Sequence, residues 1–441
     1  MRTTARKLLK CGIVLLLAAI VAATLAILVL LSRASVETTA HGAPTRLRLH
    51  LPGGRDIAVP VYVASGRRVR LPGFLDGPIV RRGTDGNWSA RWFCEDRARH
   101  ATLPASELSL HVECAGTRHA FPLYSPQVPP AVAPMPARVA VLSDLEGNSA
   151  FLEQALRRLG VVGADGKWVY GGGHLVVLGD SVDRGRDVFA VLWRLHGLSG
   201  QAGMAGGAVH VVLGNHEQYM LRTNPSRANA DHLHALNAMG GYRHAFAADT
   251  MIGGWLRQQP VALKLGSVLF VHGGVSPQVA RTGLTVEQLN AAMQDYWNDN
   301  TPHPPSSGLD AVLGHAGVTQ YRGWFRALED RYPQASDDDV GNALERFGAS
   351  MAVVGHTIVP GVKRMRNGRV HAVNVNSDES ATEVLVFEDG KPRVVDIGVA
   401  RNLVDGEPAF HEFSLLDASD RRLLSGMVRD LRRLSTLPYP Y

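Results

Sequence analysis

The chain has 441 residues, of which 45% are hydrophobic and 20% are charged, so it is long enough for one large globular domain and a smaller one, and its composition is neither disordered nor collagenous. The formal net charge of +6 lies at the front: residues 1–136 contain 17 Lys and Arg against 8 Asp and Glu, and the remainder contains 29 against 32. Because that remainder is slightly acidic and lacks a basic stripe interleaved with aromatic residues, we expect no nucleic-acid partner.

A charge-free apolar run at residues 11–32 follows a basic stub at residues 1–10. The run is long enough to cross a hydrocarbon core of ~30 Å as one helix, and it exceeds the ~7–15 apolar residues of a signal peptide. Because the basic stub favours a cytoplasmic N-terminus, we expect a single-pass membrane anchor with everything after it extracytoplasmic, which means periplasmic in a bacterium. A cleaved signal peptide, processed near Ala34 or Ala40, is the alternative.

Residues 33–121 alternate short apolar and polar runs broken by Gly and Pro, which predicts a small β-rich module. It carries no catalytic motif, and a spacer, a partner-binding module and a packing extension all stay open. In an oxidising compartment Cys94 and Cys114 would pair, and two separately buried thiols are the alternative. The Pro-rich residues 122–136 predict a stiff linker.

Buried strands alternate with helices from residue 137 to about residue 400, a pattern typical of α/β proteins. Two stretches, 218–255 and 294–349, are interpreted as helical insertions that shape the approach to a site. Residues 401–441 form a C-terminal extension whose amphipathic helix, at 419–434, either packs on its own domain or lies on a membrane surface. The predicted strands are 139–142, 174–178, 209–213, 267–271, 351–354, 370–373, 382–387 and 393–396, and the first two helices are 151–159 and 188–196.

A polar motif follows each of five predicted strands, and ligand sites of α/β proteins gather at such strand ends. The motifs are Ser143-Asp144-Leu145-Glu146-Gly147-Asn148, Gly179-Asp180-Ser181-Val182-Asp183-Arg184-Gly185, Gly214-Asn215-His216-Glu217, Val271-His272-Gly273-Gly274 and Gly355-His356-Thr357.

These motifs supply the ligands that phosphate-ester hydrolysis by two divalent metals needs. Such metals, about 3.5–4 Å apart, activate water and neutralise phosphoryl charge, and they require a bridging carboxylate with further oxygen and imidazole ligands. Asp180 is the candidate bridge. The other candidate ligands are Asp144, Glu146, Asn215, His272 and His356.

The motifs at 179–185 and 214–217, with the later His-Gly-Gly and His, resemble those of the calcineurin-like metallophosphoesterases, and within them the phosphoprotein phosphatase branch. The segments at 255–277, 321–324 and 354–357 resemble the bacterial Shewanella-like phosphatases. The resemblance implies an α/β fold, a metallophosphatase β-sandwich flanked by helices, at residues 137–400.

The resemblance also implies the roles of the individual ligands. Asp144, Glu146 and Asp180 would hold the first metal, and Asp180, Asn215, His272 and His356 would hold the second.

For catalysis, the resemblance implies that a hydroxide bridging the metals attacks phosphorus. His216, oriented by Asp183, would protonate the leaving oxygen. Arg184 would bind the phosphate with its planar guanidinium. Arg322 is a candidate second phosphate-binding arginine, with a structural loop arginine as the alternative.

Glu146 departs from the family pattern, which has His at this position. A carboxylate there favours hard metals, so we expect Mn²⁺, with Fe, Mg²⁺ or Zn²⁺ as alternatives. A Glu146 that does not ligate, with a weaker first metal site, also stays open. The histidines of the first insertion, His232, His234 and His244, are expected to be surface or cap histidines and not an extra metal site.

The predicted function is hydrolysis of phosphomonoesters on phosphoprotein, with phosphotyrosine favoured by the Shewanella-like resemblance. Hydrolysis of small phosphoanhydrides such as dinucleoside polyphosphates is the first alternative, because related enzymes share the motifs. A catalytically silent metal-binding sensor is the second. A phosphoprotein site should be an open groove, and a nucleotide site a deep pocket with an aromatic residue to stack on the base.

Overall fold

A computed structural model of the chain describes residues 2–38, 46–51, 55–60, 73–298, 307–328, 331–375, 382–399, 409–418, 420–421 and 424–425. The chain forms two compact units, one from Met1–Val63 and Asp405–Thr436, and one that includes Ala64–Val404. Most of the C-terminal helix predicted at 419–434 lies outside the described residues.

The first unit contains a long helix, α1 (Arg2–Leu31), and an antiparallel sheet. Residues 12–31 of α1 are long and apolar enough to cross a membrane, and an N-terminal signal sequence fits the same description. The strands of the sheet are β1 (Ser35–Thr38), β2 (Arg46–Leu51), β3 (Arg55–Pro60) and β20 (Ala409–Glu412), in the order β20-β1-β2-β3.

The module predicted at 33–121 is divided between the two units. Its first strand, β1, pairs with β2 on one side and with the C-terminal β20 on the other, so the early strands complete a sheet with the other end of the chain. The small core of this unit includes Val36, Leu47 and Phe413. Long-range pairing of this kind leaves no local sequence signal, because β20 lies more than 340 residues after β1, the strand with which it pairs.

The second unit is built on a five-stranded and a six-stranded sheet, ordered β12-β11-β10-β18-β19 and β16-β17-β15-β14-β13-β9. The strands are β9 (Val132–Ala133), β10 (Arg138–Leu142), β11 (His174–Leu178), β12 (Ala208–Val212), β13 (Ala262–Leu265), β14 (Val268–Val271), β15 (Met351–Val354), β16 (Lys363–Met365), β17 (Val370–Ala372), β18 (Glu383–Glu388) and β19 (Lys391–Asp396).

Side chains from both sheets form one buried core, including Val141 and Val176 of the first sheet and Phe270 and Val353 of the second. This is the β-sandwich that the resemblance implies. Strand β9 comes from the predicted Pro-rich linker and pairs in parallel with β13, so that linker is an edge strand of the sandwich.

Parallel pairing aligns the strand ends that carry the motifs. In the first sheet Leu142 is opposite Val177, and Leu178 is opposite Val212. In the second sheet Val271 is opposite Val354. The residues that follow these strands therefore leave each sheet at one edge.

Helices surround the sandwich, in agreement with the α/β pattern. They are α2 (Ser149–Arg158), α3 (Val188–Met204), α4 (Asn215–Leu221), α5 (Ala230–Ala238), α6 (Tyr242–Ala245), α7 (Met251–Arg257), α8 (Pro277–Thr282), α9 (Val286–Asn298), α10 (Ser307–Leu313) and α11 (Asp337–Arg346).

The later part of the β-rich module belongs to the second unit and packs against its helices. It forms a three-stranded sheet of β4 (Leu75–Arg82), β5 (Trp88–Cys94) and β6 (Arg97–Leu103), and a hairpin of β7 (Ser109–Cys114) and β8 (Thr117–Pro122). A disulfide between Cys94 and Cys114, with Cα atoms 5.7 Å apart, joins β5 to β7. The Trp193 indole of α3 donates to the Pro78 carbonyl at 3.0 Å, so this part of the module packs against α3.

The first insertion also rests on this module, and its histidines are not all at the surface. His232 of α5 is 1% exposed and its Nδ1 lies 2.7 Å from Oδ2 of Asp76 in β4. His232 is therefore a buried histidine of the cap insertion and not a surface one, because the module covers α5. His244 contacts Arg81 of β4, and His234 packs edge-on against Phe93 of β5.

Candidate active site

The six predicted metal ligands follow the aligned strand ends, and each is at most 7% exposed. Asp144, Asp180 and His356 have positive φ angles of 50°, 51° and 58°, which turn the chain sharply after its strand and bring the side chains into the edge of the sandwich. Gly179, at φ +78°, lies so close to His272 that a Cβ there would collide with the imidazole. The glycine before the ligand therefore permits this approach.

Asp180 lies at the centre of the cluster. Its Oδ2 is 3.0 Å from Nε2 of His272 and 3.8 Å from Nε2 of His216, and its Oδ1 accepts the backbone N–H of His216 at 2.9 Å. Burial opposes ionisation of this carboxyl, but the imidazoles of His272 and His216 outweigh burial and lower its pKa. Asp180 is thus an ionised oxygen donor facing ligands from two other chain segments.

A hydrogen bond from Nδ1 of His272 fixes the orientation of its ring. Its Nδ1 donates to the Leu178 carbonyl at 2.8 Å, so Nε2 is the ring atom directed to Asp180 and to Oδ1 of Asn215, 3.2 Å away. Burial lowers the pKa of His272, but the carboxylates of Asp180 and Asp144 outweigh burial and raise it to about 9. A backbone carbonyl that accepts from the other ring nitrogen commonly orients a metal-binding histidine in this way.

His356 and Asp144 approach from the other side of the cluster. The rings of His272 and His356 are 4.9 Å apart, and the backbone N–H of His356 donates to Oδ2 of Asp144 at 3.2 Å. Asp144 Oδ1 accepts from Nδ2 of Asn374 at 2.8 Å, and the Ser143 hydroxyl donates to the same carboxylate. Burial, His272 and Arg322 together lower the pKa of His356, which keeps its imidazole neutral, the form that binds metals.

Glu146 lies beside the predicted phosphate-binding arginine. Its Oε1 is 2.9 Å from Nε of Arg184, and its side chain is 6% exposed against 52% for Arg184. Burial raises the pKa of Glu146 to about 7, although Arg184 lowers it. The carboxylate is therefore inside the cluster and the arginine reaches from it towards solvent.

His216 and Asp183 form the predicted acid pair. Nδ1 of His216 donates to Oδ2 of Asp183 at 3.0 Å, and both side chains are at least 94% buried. Burial lowers the pKa of His216, but Asp180 and the hydrogen bond to Asp183 outweigh burial and raise it to about 9. Because Nδ1 is committed to Asp183, Nε2 is the ring atom that can exchange a proton with a substrate.

Glu217 fastens the loops of the cluster to one another. It accepts the backbone N–H groups of Asp180 at 2.9 Å, Ser181 at 2.6 Å and Gly214 at 2.8 Å. These contacts show that Glu217 orients backbone.

Arg322 is held by the loop that carries His356. Its Nη1 donates to the His356 carbonyl at 2.7 Å and to the Thr357 hydroxyl at 3.3 Å. These bonds hold its guanidinium next to His356, a predicted ligand, and phosphate binding by Arg322 stays a prediction beside the role of a structural loop arginine.

Sequence reasoning missed three residues that support the site. Asn374 binds Asp144, and the carbonyl of Arg227 and the amide of Asn229 bind the backbone of Arg184. Asn374 follows the predicted strand 370–373, so its place at a strand end was a usable signal. Arg227 and Asn229 lie in an insertion, and no sequence signal marks them as part of the site.

The donor set fits a divalent cation. Asp180, His272 and His356 each offer a ligand atom, and these atoms lie within 4.8 Å of one another. The carboxylates raise the pKa values of His272 and His216, as expected of a site with excess negative charge. Oδ1 of Asn374, 2% exposed beside Asp144, has no hydrogen-bond partner among the described residues.

We expect Glu146→Ala to lower metal content and activity. The substitution removes a predicted ligand, and loss of groups around a metal typically costs about 10–100-fold in affinity. Metal bound after gel filtration, measured by mass spectrometry, should fall, and kcat/KM at fixed Mn²⁺ should fall with it. Glu146→His, which installs the family's residue, should keep the metal.

Glu388→Ala is the control, because Glu388 of β18 pairs with Arg393 of β19 at 2.6 Å and is not a predicted ligand. Metal content and activity that stay at the parent level in Glu146→Ala would refute its assignment as a ligand.

Residues 137–360 match the profile of the calcineurin-like phosphoesterase family. The chain is 23% identical to Shewanella-like protein phosphatase 1 of Plasmodium berghei over 239 residues, which are 51% of this chain and 62% of that protein. It is 30% identical to a symmetrical bis(5'-nucleosyl)-tetraphosphatase of Janthinobacterium over 155 residues, 35% of this chain and 50% of that protein. The chain thus spans about half to three fifths of the length of these curated relatives.

A solved structure, the cold-active protein-tyrosine phosphatase of a psychrophilic Shewanella species, is similar over 99% of its own length and 73% of this chain, with 29% identity and a TM-score of 0.63. The family match covers half of the chain and contains all five strand-end motifs. The chain belongs to the calcineurin-like phosphoesterase family.

Proposed function

We propose that the chain is a metal-dependent phosphomonoesterase that acts on phosphoprotein, with phosphotyrosine as the favoured residue. The observation that carries the proposal is the His216–Asp183 pair and Arg184 beside a buried ligand cluster centred on Asp180. This set would provide a proton donor, a phosphate-binding cation and a metal site in the loops at one edge of the sandwich.

The chain's own residues would divide the work as follows. Asp180 would serve both metals, with Asp144 and Glu146 completing one site. Two bound divalent metals, for which Mn²⁺ is the proposal, would supply an activated water and neutralise phosphoryl charge. The second site would take the donors that converge on Asp180 from later strands: Asn215, His272 and His356.

Four further side chains would act beside the metals. Arg184, half exposed, would bind the phosphoryl oxygens. Nε2 of His216 would give a proton to the leaving oxygen, and Asp183 would hold the imidazole in the tautomer and orientation for that step. Arg322 would keep His356 in place through the carbonyl it binds.

A groove beside the site supports a polypeptide substrate. A cavity of about 810 Å³ is lined by Arg186 and Asp187, directly after the 179–185 motif, and by residues of α3 as far along as Gln201. Its walls include Phe121 and Trp193. Because 17 helical residues span ~25 Å, a groove along most of α3 suits an extended chain better than a compact nucleotide.

Dinucleoside polyphosphate hydrolysis is the second candidate. The same aromatic wall could stack a base, and the similar tetraphosphatase of Janthinobacterium is named for that activity.

Substrate comparison tests the proposal directly. Full-length protein with Mn²⁺ should hydrolyse p-nitrophenyl phosphate, and kcat/KM should be higher for a phosphotyrosine peptide than for a phosphoserine peptide or diadenosine tetraphosphate. A preference for the tetraphosphate would favour the second candidate. Bound metal without turnover of any substrate would instead identify a silent sensor.

His216→Asn should reveal the proton donor through the leaving group. Proton transfer contributes about 10²–10⁴-fold, and it matters most when the leaving oxygen is basic, as in tyrosine with a pKa of about 10. We expect a large loss of kcat on the phosphotyrosine peptide and a smaller loss on p-nitrophenyl phosphate, whose leaving group is more acidic. Equal losses on both substrates would contradict the role.

We also propose that α1 anchors the chain in a membrane with the catalytic unit on the extracytoplasmic side. The basic stub before residue 11 and the Cys94–Cys114 disulfide, a bond that persists in oxidising compartments, support this topology.

In a bacterial host, acid quenching and alkylation under denaturing conditions should label one thiol of the three cysteines, Cys11, and the chain should resist carbonate extraction from membranes. Labelling of three thiols, or release by carbonate, would contradict the topology.

A further inference from the structure

Arg184 has a backbone conformation that its neighbours must hold. Asp183 and Arg184 have φ angles of +68° and +53°, a left-handed conformation that residues with a Cβ rarely adopt. The backbone N–H of Arg184 donates to the carbonyl of Arg227 at 2.9 Å, and its carbonyl accepts from Nδ2 of Asn229 at 2.9 Å. Both sides of this residue are thus fixed by a single short segment, 227–229.

That segment leads directly into helix α5. Oδ1 of Asn229 caps the helix by accepting the backbone N–H of Asp231 at 2.9 Å, while its Nδ2 holds Arg184. Asp231 in the first turn lies 3.5 Å from Nη1 of Arg186. The position of the first turn of α5 therefore sets the position of the 183–186 segment.

The first turn of α5 is in turn fixed from the β module. His232 donates from Nδ1 to Oδ2 of Asp76 at 2.7 Å, and both side chains are 1% exposed. Oδ1 of Asp76 accepts the backbone N–H of Gly77 at 3.0 Å, which orients the carboxylate within β4. The ring of His232 also packs edge-on against Phe189 of α3.

We propose that the buried Asp76–His232 pair positions Arg184 for phosphate binding, so that β4 of the N-terminal module is a working part of the substrate site. The route is continuous: Asp76 holds His232, the first turn of α5 holds Asn229, and Asn229 and Arg227 hold the peptide of Arg184. The inference rests on the proposed function, because it assumes that Arg184 binds the substrate phosphate.

A hydrogen-bonded polar pair this deeply buried fixes direction in a way that apolar packing does not. An apolar pair of similar volume would still cover α5, but it would leave the helix free to shift along or rotate about its axis. A misplacement of about 1 Å at a substrate-positioning group can cost about 10²-fold in rate, so a small shift of α5 is enough to impair Arg184. Asp76 and His232 are therefore positioning residues, and they do not contact the reacting atoms.

The test uses the double variant Asp76→Leu/His232→Phe, which removes both polar groups and leaves neither buried unpaired. In the Mn²⁺-loaded full-length protein we expect the inhibition constant for inorganic phosphate and the KM for p-nitrophenyl phosphate to rise about 10-fold, with a smaller change in kcat. Asp76→Asn, which keeps a hydrogen bond to His232, should stay within about 2-fold of the parent.

A double-mutant cycle separates positioning from general damage. In an Arg184→Ala background the double variant should change phosphate inhibition by less than about 2-fold, because the arginine that it positions is gone. The control is His196→Phe, since His196 is a fully buried histidine of α3 that is not part of the route. It should leave phosphate inhibition unchanged even where it alters thermal stability.

Asn229→Ala interrupts the same route at its other end and should give the same loss, which keeps the test informative even where the double variant does not fold. Hydrogen exchange in the metal-free protein provides a readout independent of activity: amides at 183–187 should exchange faster in Asn229→Ala and not in His196→Phe. Parent-level phosphate inhibition in folded variants, or an equal loss in the Arg184→Ala background, would overturn the inference. Absence of turnover in the unmodified protein would instead refute the proposed function.

Discussion

The structure of the catalytic half depends on the burial of acidic side chains around Asp180. Asp144, Glu146, Asp180 and Asp183 are each at most 4% exposed, and carboxylates so close together are unfavourable unless cations or hydrogen-bond donors surround them. The surroundings are arranged accordingly. Imidazoles approach Asp180 from two sides, and the backbone N–H of His216 reaches its other oxygen. The Asn374 amide and the backbone N–H of His356 donate to Asp144. This negative charge raises the pKa values of His216 and His272. The same negative charge is the reason that a divalent cation fits the cluster.

Such a cluster can be assembled only if loops from separate strands are fixed relative to one another. The sandwich does this by parallel register, which ends β10, β11 and β12 at one edge of one sheet and β14 and β15 at one edge of the other. Glu217 then joins the loops after β11 and β12 by accepting three backbone N–H groups. Because Glu217 is fully buried and acts only on backbone in these bonds, its place in the 214–217 motif is explained by loop geometry.

The parts of the fold that sequence could predict are those in which local pattern and burial agree. The strands at 174–178 and 351–354 were predicted with the bounds that the structure gives, because each is a short apolar run ended by glycine and a polar motif. The α/β sandwich and the family were predicted from motifs at strand ends, and both are confirmed. What could not be predicted depends on contacts between distant segments. Strand β20 closes the sheet of β1, and Asp76 pairs with His232 across 156 residues. In neither pair does one partner have a local sequence pattern that predicts the other.

Glu146 shows how one departure from a family pattern changes more than a ligand. A histidine at this position offers an imidazole to a metal and has no negative charge with which to hold an arginine. Glu146 offers a carboxylate, and the structure pairs it with Arg184 at 2.9 Å. Under the proposed function, Glu146 would therefore join the first metal site to the phosphate-binding arginine. Arg184 is fixed at its backbone by Arg227 and Asn229 and at its guanidinium by Glu146, so a bound phosphate would meet an arginine that is already oriented and would compete with Glu146 for it. Metal preference and phosphate affinity should therefore change together when Glu146 is replaced, whereas changes along the route from Asp76 should alter phosphate affinity alone.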